Sequence, residues 1–161
     1  MNQRPSIIVA DTDSQFRNLL RLELIDLGFE PLLAFNGDEA FRFAESQVVR
    51  LAILDTSLPD FGAYNTCLRM RRLPHYGAVP ILLMTRLNEP RIRAAAIRAG
   101  ISALLLKPFS VSDLIDELER YLVDESDPRA VAAWRQSTSG FSHGRRAAEP
   151  PAQSLYPRSR A

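Results

Sequence analysis

Five short apolar runs recur along the first two thirds of the chain, and a stretch with helical spacing follows each of them. The runs are Ser6-Ile7-Ile8-Val9-Ala10, Glu30-Pro31-Leu32-Leu33-Ala34, Leu51-Ala52-Ile53-Leu54, Val79-Pro80-Ile81-Leu82-Leu83-Met84, and Ile101 to Leu106. A run that is apolar at successive positions, not at every second one, suits a strand covered on both faces. Strands of that kind that alternate with helices imply right-handed crossovers and a parallel sheet. Within about 125 residues the expected fold is α/β. It is a flavodoxin-like doubly wound sheet of five parallel strands, order 2-1-3-4-5, with helices on both faces, rather than a closed barrel. Pro31 suits an edge for the second strand.

The intervening stretches carry their own stops and starts. Ser14 is expected to cap a first helix with Phe16, Leu19, Leu20, Leu24 and Leu27 on one face, and Gly28 ends it. Asn36 caps a second helix that runs to about Gln47, with Ala40, Phe43 and Ala44 inward. A third spans Ala63 to Arg72 before Pro74, and a fourth spans Glu89 to Ala99 before Gly100. Ser110 and Asp113 have capping-box spacing and open a fifth helix, whose inner face is Leu114, Leu118, Tyr121 and Leu122.

Composition narrows the function classes. No apolar run approaches the ~20 residues of a membrane helix. The amino terminus enters a strand without a signal-peptide core, so a cytoplasmic location is expected. A single cysteine, Cys67, excludes an internal disulfide and a cysteine metal cluster, and its apolar setting makes it a core residue. His75 and His143 fall in a loop and in the tail, which leaves little for histidine catalysis. From Asp127 onward six arginines face two acids, a balance of +4 that leaves −3 on the first 126 residues. Residues 1–125 are therefore expected to form one folded domain. Residues 126–161 are expected to be a disordered basic tail with at most a brief helix over Ala130 to Gln136.

The chemistry gathers at the carboxyl ends of the strands. Strand one delivers Asp11 and Asp13, and strand three delivers Asp55, followed by Thr56-Ser57-Leu58-Pro59. Strand four delivers Thr85 and strand five Lys107. In the order 2-1-3-4-5 these strand ends share one crevice. Two carboxylates ~4 Å apart repel by about 4 kcal/mol at an effective dielectric of ~20, so they call for a cation. Mg²⁺ takes oxygen ligands and keeps positions open for phosphate. Thr85 and Lys107 opposite it would suit a phosphoryl group.

At these residues the sequence resembles the receiver domain of bacterial two-component response regulators, single-domain and chemotaxis-regulator-like, over about residues 5 to 124. The resemblance rests on Asp11, on Asp55 in Ile-Leu-Asp-Thr-Ser-Leu-Pro, on Thr85 in Leu-Leu-Met-Thr and on Lys107 in Leu-Lys-Pro-Phe. The spacings are 30 residues from Asp55 to Thr85 and 22 from Thr85 to Lys107. It implies a phosphoprotein, not an enzyme, in which Asp55 takes a phosphoryl group from a histidine kinase or phosphotransfer protein. It further implies Mg²⁺ held by Asp11, Asp13, Asp55 and the backbone carbonyl of Ser57, with Thr85 and Lys107 on the phosphoryl oxygens. The Lys107-Pro108 bond is expected to be cis.

The sequence departs from the family at four places. Thr12 stands where a second acid is usual, Arg86 follows the threonine, and Leu104 holds the usual aromatic position. Asp60-Phe61-Gly62 shifts the usual Asp-Gly. Weaker Mg²⁺ binding is expected from Thr12. No DNA-binding domain is expected in the tail, so output would run through protein contacts on the face of helix 4, strand 5 and helix 5. The target there is an acidic partner or a second copy in a homodimer. The alternative is a degenerate receiver that acts as a phosphorylation-independent interaction module. Asp11-Thr12-Asp13-Ser14 also resembles the nucleophile motif of haloacid-dehalogenase-type phosphatases, which would make Asp11 the nucleophile but leave Asp55 without a role.

Overall fold

β1 (Ser6–Ala10), β3 (Leu51–Asp55) and β4 (Ile81–Thr85) are buried at every residue, as their continuous apolar runs require. The computed structural model describes residues 4–59, 62–141 and 153–155. The expected Asp60-Phe61 segment and His143 lie outside them. With β2 (Glu30–Ala34) and β5 (Ala103–Leu106) these strands form a parallel sheet in the order β2-β1-β3-β4-β5. Pro31 lies on the edge strand, where its missing N–H leaves no central ladder bond unmade.

Among the described residues six helices flank the sheet: α1 (Ser14–Asp26), α2 (Gly37–Ser46), α3 (Gly62–Arg71), α4 (Pro90–Ala99), α5 (Val111–Leu122) and α6 (Pro128–Thr138). One apolar layer joins Leu20 and Leu24 of α1 and Leu114 and Leu118 of α5 to Ile7, Val9, Leu51 and Ile53. The opposite layer joins Ala40, Ala44, Ala63, Cys67, Met70 and Ala96 to Ile8, Ala52, Leu54 and Leu83. Cys67 is indeed a core residue. Burial pushes its thiol up to about 11, and its Sγ donates to the Ala99 carbonyl at 3.1 Å. Small residues bring α2 close to α3: a Cβ on Gly37 would lie 2.1 Å from Thr66 Oγ1.

Four expectations are corrected. The N-cap of α1 is Asp13, not Ser14. Its backbone is extended (φ −77°, ψ 107°) and its carboxylate accepts from Gln15 and Phe16 N–H. Leu19 is 60% exposed, because one residue past a 3.6-period stripe lies about 100° around the helix. β4 and β5 begin two residues later than their apolar runs, at Ile81 and Ala103.

The fourth correction concerns the segment after Leu122. Residues 128–141 are not irregular: Asp127 caps α6, Pro128 occupies its first turn, and a 3₁₀ turn follows over Ser139–Phe141. The Trp134 ring lies 6.1 Å from that of Phe29 and packs on the layer below α1 and α5. Gln153–Ser154 add a sixth, antiparallel strand, β6, beside β5.

Candidate functional site

The carboxyl ends of β1, β3, β4 and β5 carry Asp11, Asp55, Thr85 and Lys107 to one edge of the sheet, and the parallel register fixes this. Asp55 pairs with Met84, so Thr85 stands one residue beyond it. Thr85 pairs with Leu106, so Lys107 stands one residue beyond that. Asp11, Asp55 and Thr85 are all buried.

Lys107 binds the cluster together. Its Nζ lies 2.6 Å from Asp11 Oδ2 and 2.6 Å from Asp55 Oδ2, with side-chain exposures of 9%, 2% and 5% for the three residues. The ammonium also sits 4.2 Å from the centre of the Phe16 ring, which meets Phe109 edge-on at 5.6 Å. Phe16 was legible in the sequence only as a core residue of α1; its second role depends on where β5 ends. The Lys107–Pro108 peptide is cis, as expected.

The other carboxylate oxygens also accept hydrogen bonds. Asp11 Oδ1 accepts from Asp13 N–H at 2.9 Å, and Arg17 donates to the Asp11 carbonyl. Asp55 Oδ1 accepts from Ser57 N–H at 2.8 Å and from the Ser57 hydroxyl. Thr12 Oγ1 and Ser57 Oγ lie 3.4 Å apart across the crevice mouth. Thr85 Oγ1 accepts from Leu87 N–H at 3.1 Å, tying the end of β4 to the loop that carries Arg86.

Asp13 does not join the other acids. Its Oδ1 holds Gln15 N–H at 2.9 Å and Phe16 N–H at 3.1 Å at the start of α1. Among the described residues no three His, Cys, Asp or Glu gather as a metal-binding group. Two buried carboxylates share one ammonium, so the cluster retains a net negative charge. A hard divalent cation with a small protein ligand set, completed by water, fits that donor set.

Leu104, at the position where the family usually has an aromatic, is fully buried in the core. Among the described residues, no helix is long and apolar enough to cross a membrane.

Comparison with known proteins agrees with this geometry. The family model for the response regulator receiver domain matches residues 7–119. A probable transcriptional regulator, ycf27, of Porphyra purpurea is 31% identical over 113 residues, which are 70% of this chain and 45% of that protein. The chain thus spans about half the length of such curated relatives. An uncharacterized 14.6 kDa protein of Leptolyngbya boryana is 31% identical over 115 residues, 71% of this chain and 88% of its own.

Among solved structures, the chemotaxis response regulator CheY4 of Vibrio cholerae superposes with a TM-score of 0.71 at 25% identity, covering 74% of this chain and all of that one. The receiver domain of the Pseudomonas aeruginosa sensor histidine kinase PA1611 superposes with a TM-score of 0.68 at 25% identity, covering 74% of this chain and 98% of its own. That structure carries a magnesium ion in its active-site cleft. The arrangement of Asp11, Asp55, Thr85 and Lys107 at four adjacent strand ends, the sheet order and the match over residues 7–119 lead to one conclusion: the chain belongs to the response regulator receiver domain family, whose members are signalling modules and not enzymes.

Proposed function

We propose that the chain is a phosphorelay response regulator in which Asp55 accepts a phosphoryl group from a phosphohistidine of a histidine kinase or phosphotransfer protein. The observation that supports this reading is the Lys107 ammonium, 2.6 Å from a buried Asp55 oxygen and shared with Asp11. A carboxylate oxygen of Asp55 attacks the phosphorus, the P–N bond breaks, and the imidazole leaves with the electron pair. Ser57 holds Oδ1 turned toward the β3–α3 loop, which leaves Oδ2 facing Lys107. As charge passes from the carboxylate to the phosphoryl oxygens, the ammonium beside Oδ2 stands within reach to pair with them. Thr85 is positioned to exchange its bond to Leu87 for one to a phosphoryl oxygen, which would move the loop before α4. Mg²⁺, held by Asp11, Asp55 and Ser57, would supply the charge that offsets repulsion between the carboxylates and the incoming phosphate.

The expected result is a gain of one phosphoryl mass on treatment with acetyl phosphate and Mg²⁺, read by intact mass, and its loss in Asp55→Asn. An equal gain in both proteins would sink the assignment. Loss in Asp11→Asn alone would point to the phosphatase-like chemistry, and no gain in any of them to a phosphorylation-independent interaction module.

A second expectation follows from Thr12, which supplies a hydroxyl where a second carboxylate would stand, while Asp13 is committed to the helix cap. Thr12→Asp should tighten Mg²⁺ binding by at least about fivefold, since one added charge near a divalent ion contributes on the order of 1–4 kcal/mol. Isothermal titration of both proteins checks this, and equal affinities would mean that residue 12 does not face the ion.

Output is assigned to the face of α4, β5 and α5. Arg86, Arg91 and Arg98 are exposed there beside Leu87 and Ile97, which are 46% and 45% exposed. Arginine forks with nearby apolar side chains suit an acidic partner or a second receiver.

A further inference from the structure

β5 is the last strand of the parallel sheet, and its outer edge is not bare. Gln153 and Ser154 run antiparallel to it, in register with Leu104 and Ala103. Leu155 N–H donates to the Ser102 carbonyl at 3.3 Å, and its side chain packs on the layer that contains Ile81, Leu83, Ile101 and Leu104. Without this segment, a four-residue strand of Ala103, Leu104, Leu105 and Leu106 would present a row of unpaired backbone groups beside apolar side chains. Such an edge pairs readily with any extended chain. The direction of the pairing sets the contact apart, because every other strand pair in the sheet is parallel. β6 is therefore added to a finished sheet and is not part of its winding. It is a strand-addition contact of the kind that recognises extended peptides, with main-chain bonds supplying the affinity and one apolar anchor, Leu155, the specificity.

We propose that the β5 edge is a strand-accepting surface and that residues 153–155 are its intramolecular ligand, a strap that keeps other extended segments off this edge. Three residues of ladder make a weak contact, but tethering raises the local concentration of the segment to roughly millimolar, enough to hold it in place while leaving it displaceable. The location gives the strap a use. β5 runs directly into Lys107, whose N–H donates to the Thr85 carbonyl at 2.8 Å, so the strap lies on the strand that carries the cation of the site. Its seat lies on the face assigned above to output. The masking of a signalling partner therefore rests on that assignment, whereas the strap itself does not.

Hydrogen exchange on the full chain, without phosphodonor, tests the strap. Leu155→Pro removes the donor to Ser102, and amides of residues 103–106 should then exchange at least about tenfold faster, while those of β1 and β3 stay protected. Leu155→Ile keeps both the N–H and an apolar side chain and should exchange like the wild type. A synthetic peptide with the sequence of residues 150–157, added at millimolar concentration, should restore protection to the Leu155→Pro chain. Wild-type exchange at β5 in Leu155→Pro overturns the strap, and failure of the peptide to restore protection overturns the strand-accepting edge. These measurements contain no phosphodonor and the phosphoryl-mass measurement contains no strap variant, so failure of the phosphotransfer reading and failure of the strap appear in separate experiments.

Discussion

Lys107→Met should lower the stability of the folded chain by about 3–5 kcal/mol and should end phosphoryl acceptance at Asp55. Methionine keeps the volume of the stem and can still pack on Phe16, so the change isolates the ammonium. Two effects then add. The lost attraction is modest, because a buried pair forfeits much of its Coulomb gain to desolvation. What remains dominates: Asp11 and Asp55, both nearly inaccessible, face the same point with no counter-charge between them. Urea unfolding measures the loss. Mg²⁺ gives the second readout, since it would neutralise the same two carboxylates. Saturating Mg²⁺ should therefore raise the midpoint of Lys107→Met more than that of the wild type; at a hundred times its dissociation constant a ligand adds about 2.7 kcal/mol. A variant as stable as the wild type, and equally indifferent to Mg²⁺, would show that the two carboxylates do not depend on Lys107.

The convergence behind that prediction was legible in the sequence because it depends on strand ends. A strand buried on both faces leaves an unbroken apolar run, so the position where the run meets Asp55, Thr85 or Lys107 is marked sharply. The starts of β4 and β5 were marked less well. Val79 and Ile101 are apolar for packing reasons, and only the hydrogen-bond ladder decides where a strand begins. Adjacent cap formers are ambiguous for the same kind of reason. Asp13 and Ser14 both suit an N-cap, and the backbone angles select Asp13, whose carboxylate accepts from the Gln15 and Phe16 amides. Glu117 broke the pattern from inside: it is buried on α5 with Arg120 at 2.9 Å, and a charged residue on an apolar helix face carries no periodic signal. The segment at 153–155 carried none either, since three residues are too short for a period to show.

Arg71 was equally invisible, because the carbonyls it clamps at Gly100, Tyr76 and Val79 leave no mark in the sequence, and its replacement by alanine should cost about 3–5 kcal/mol. Nε and Nη2 donate to the Gly100 carbonyl at 2.9 and 2.6 Å, and Nη1 donates to the carbonyls of Tyr76 and Val79, each at 2.6 Å. The planar fork thus joins the end of α3, the loop before β4 and the turn between α4 and β5. Charge-assisted bonds contribute about 1.5–3 kcal/mol each, but bonds from one guanidinium are not additive, so the total is set below their sum. Gly100 is fitted to this clamp. It closes α4 at φ 81°, and a Cβ there would meet Arg71 Nε at 3.1 Å. Arg71→Lys should recover less than half of the loss, because one ammonium on a flexible stem cannot span carbonyls that lie in two directions. Against a typical total stability of 5–15 kcal/mol, the alanine variant should shift the urea midpoint strongly at an unchanged slope. The layer of α2, α3 and α4 should loosen before that of α1 and α5, which hydrogen exchange can follow segment by segment. A loss below about 1 kcal/mol, or full recovery by lysine, would mean that the three carbonyls are satisfied by water and that packing alone joins these segments.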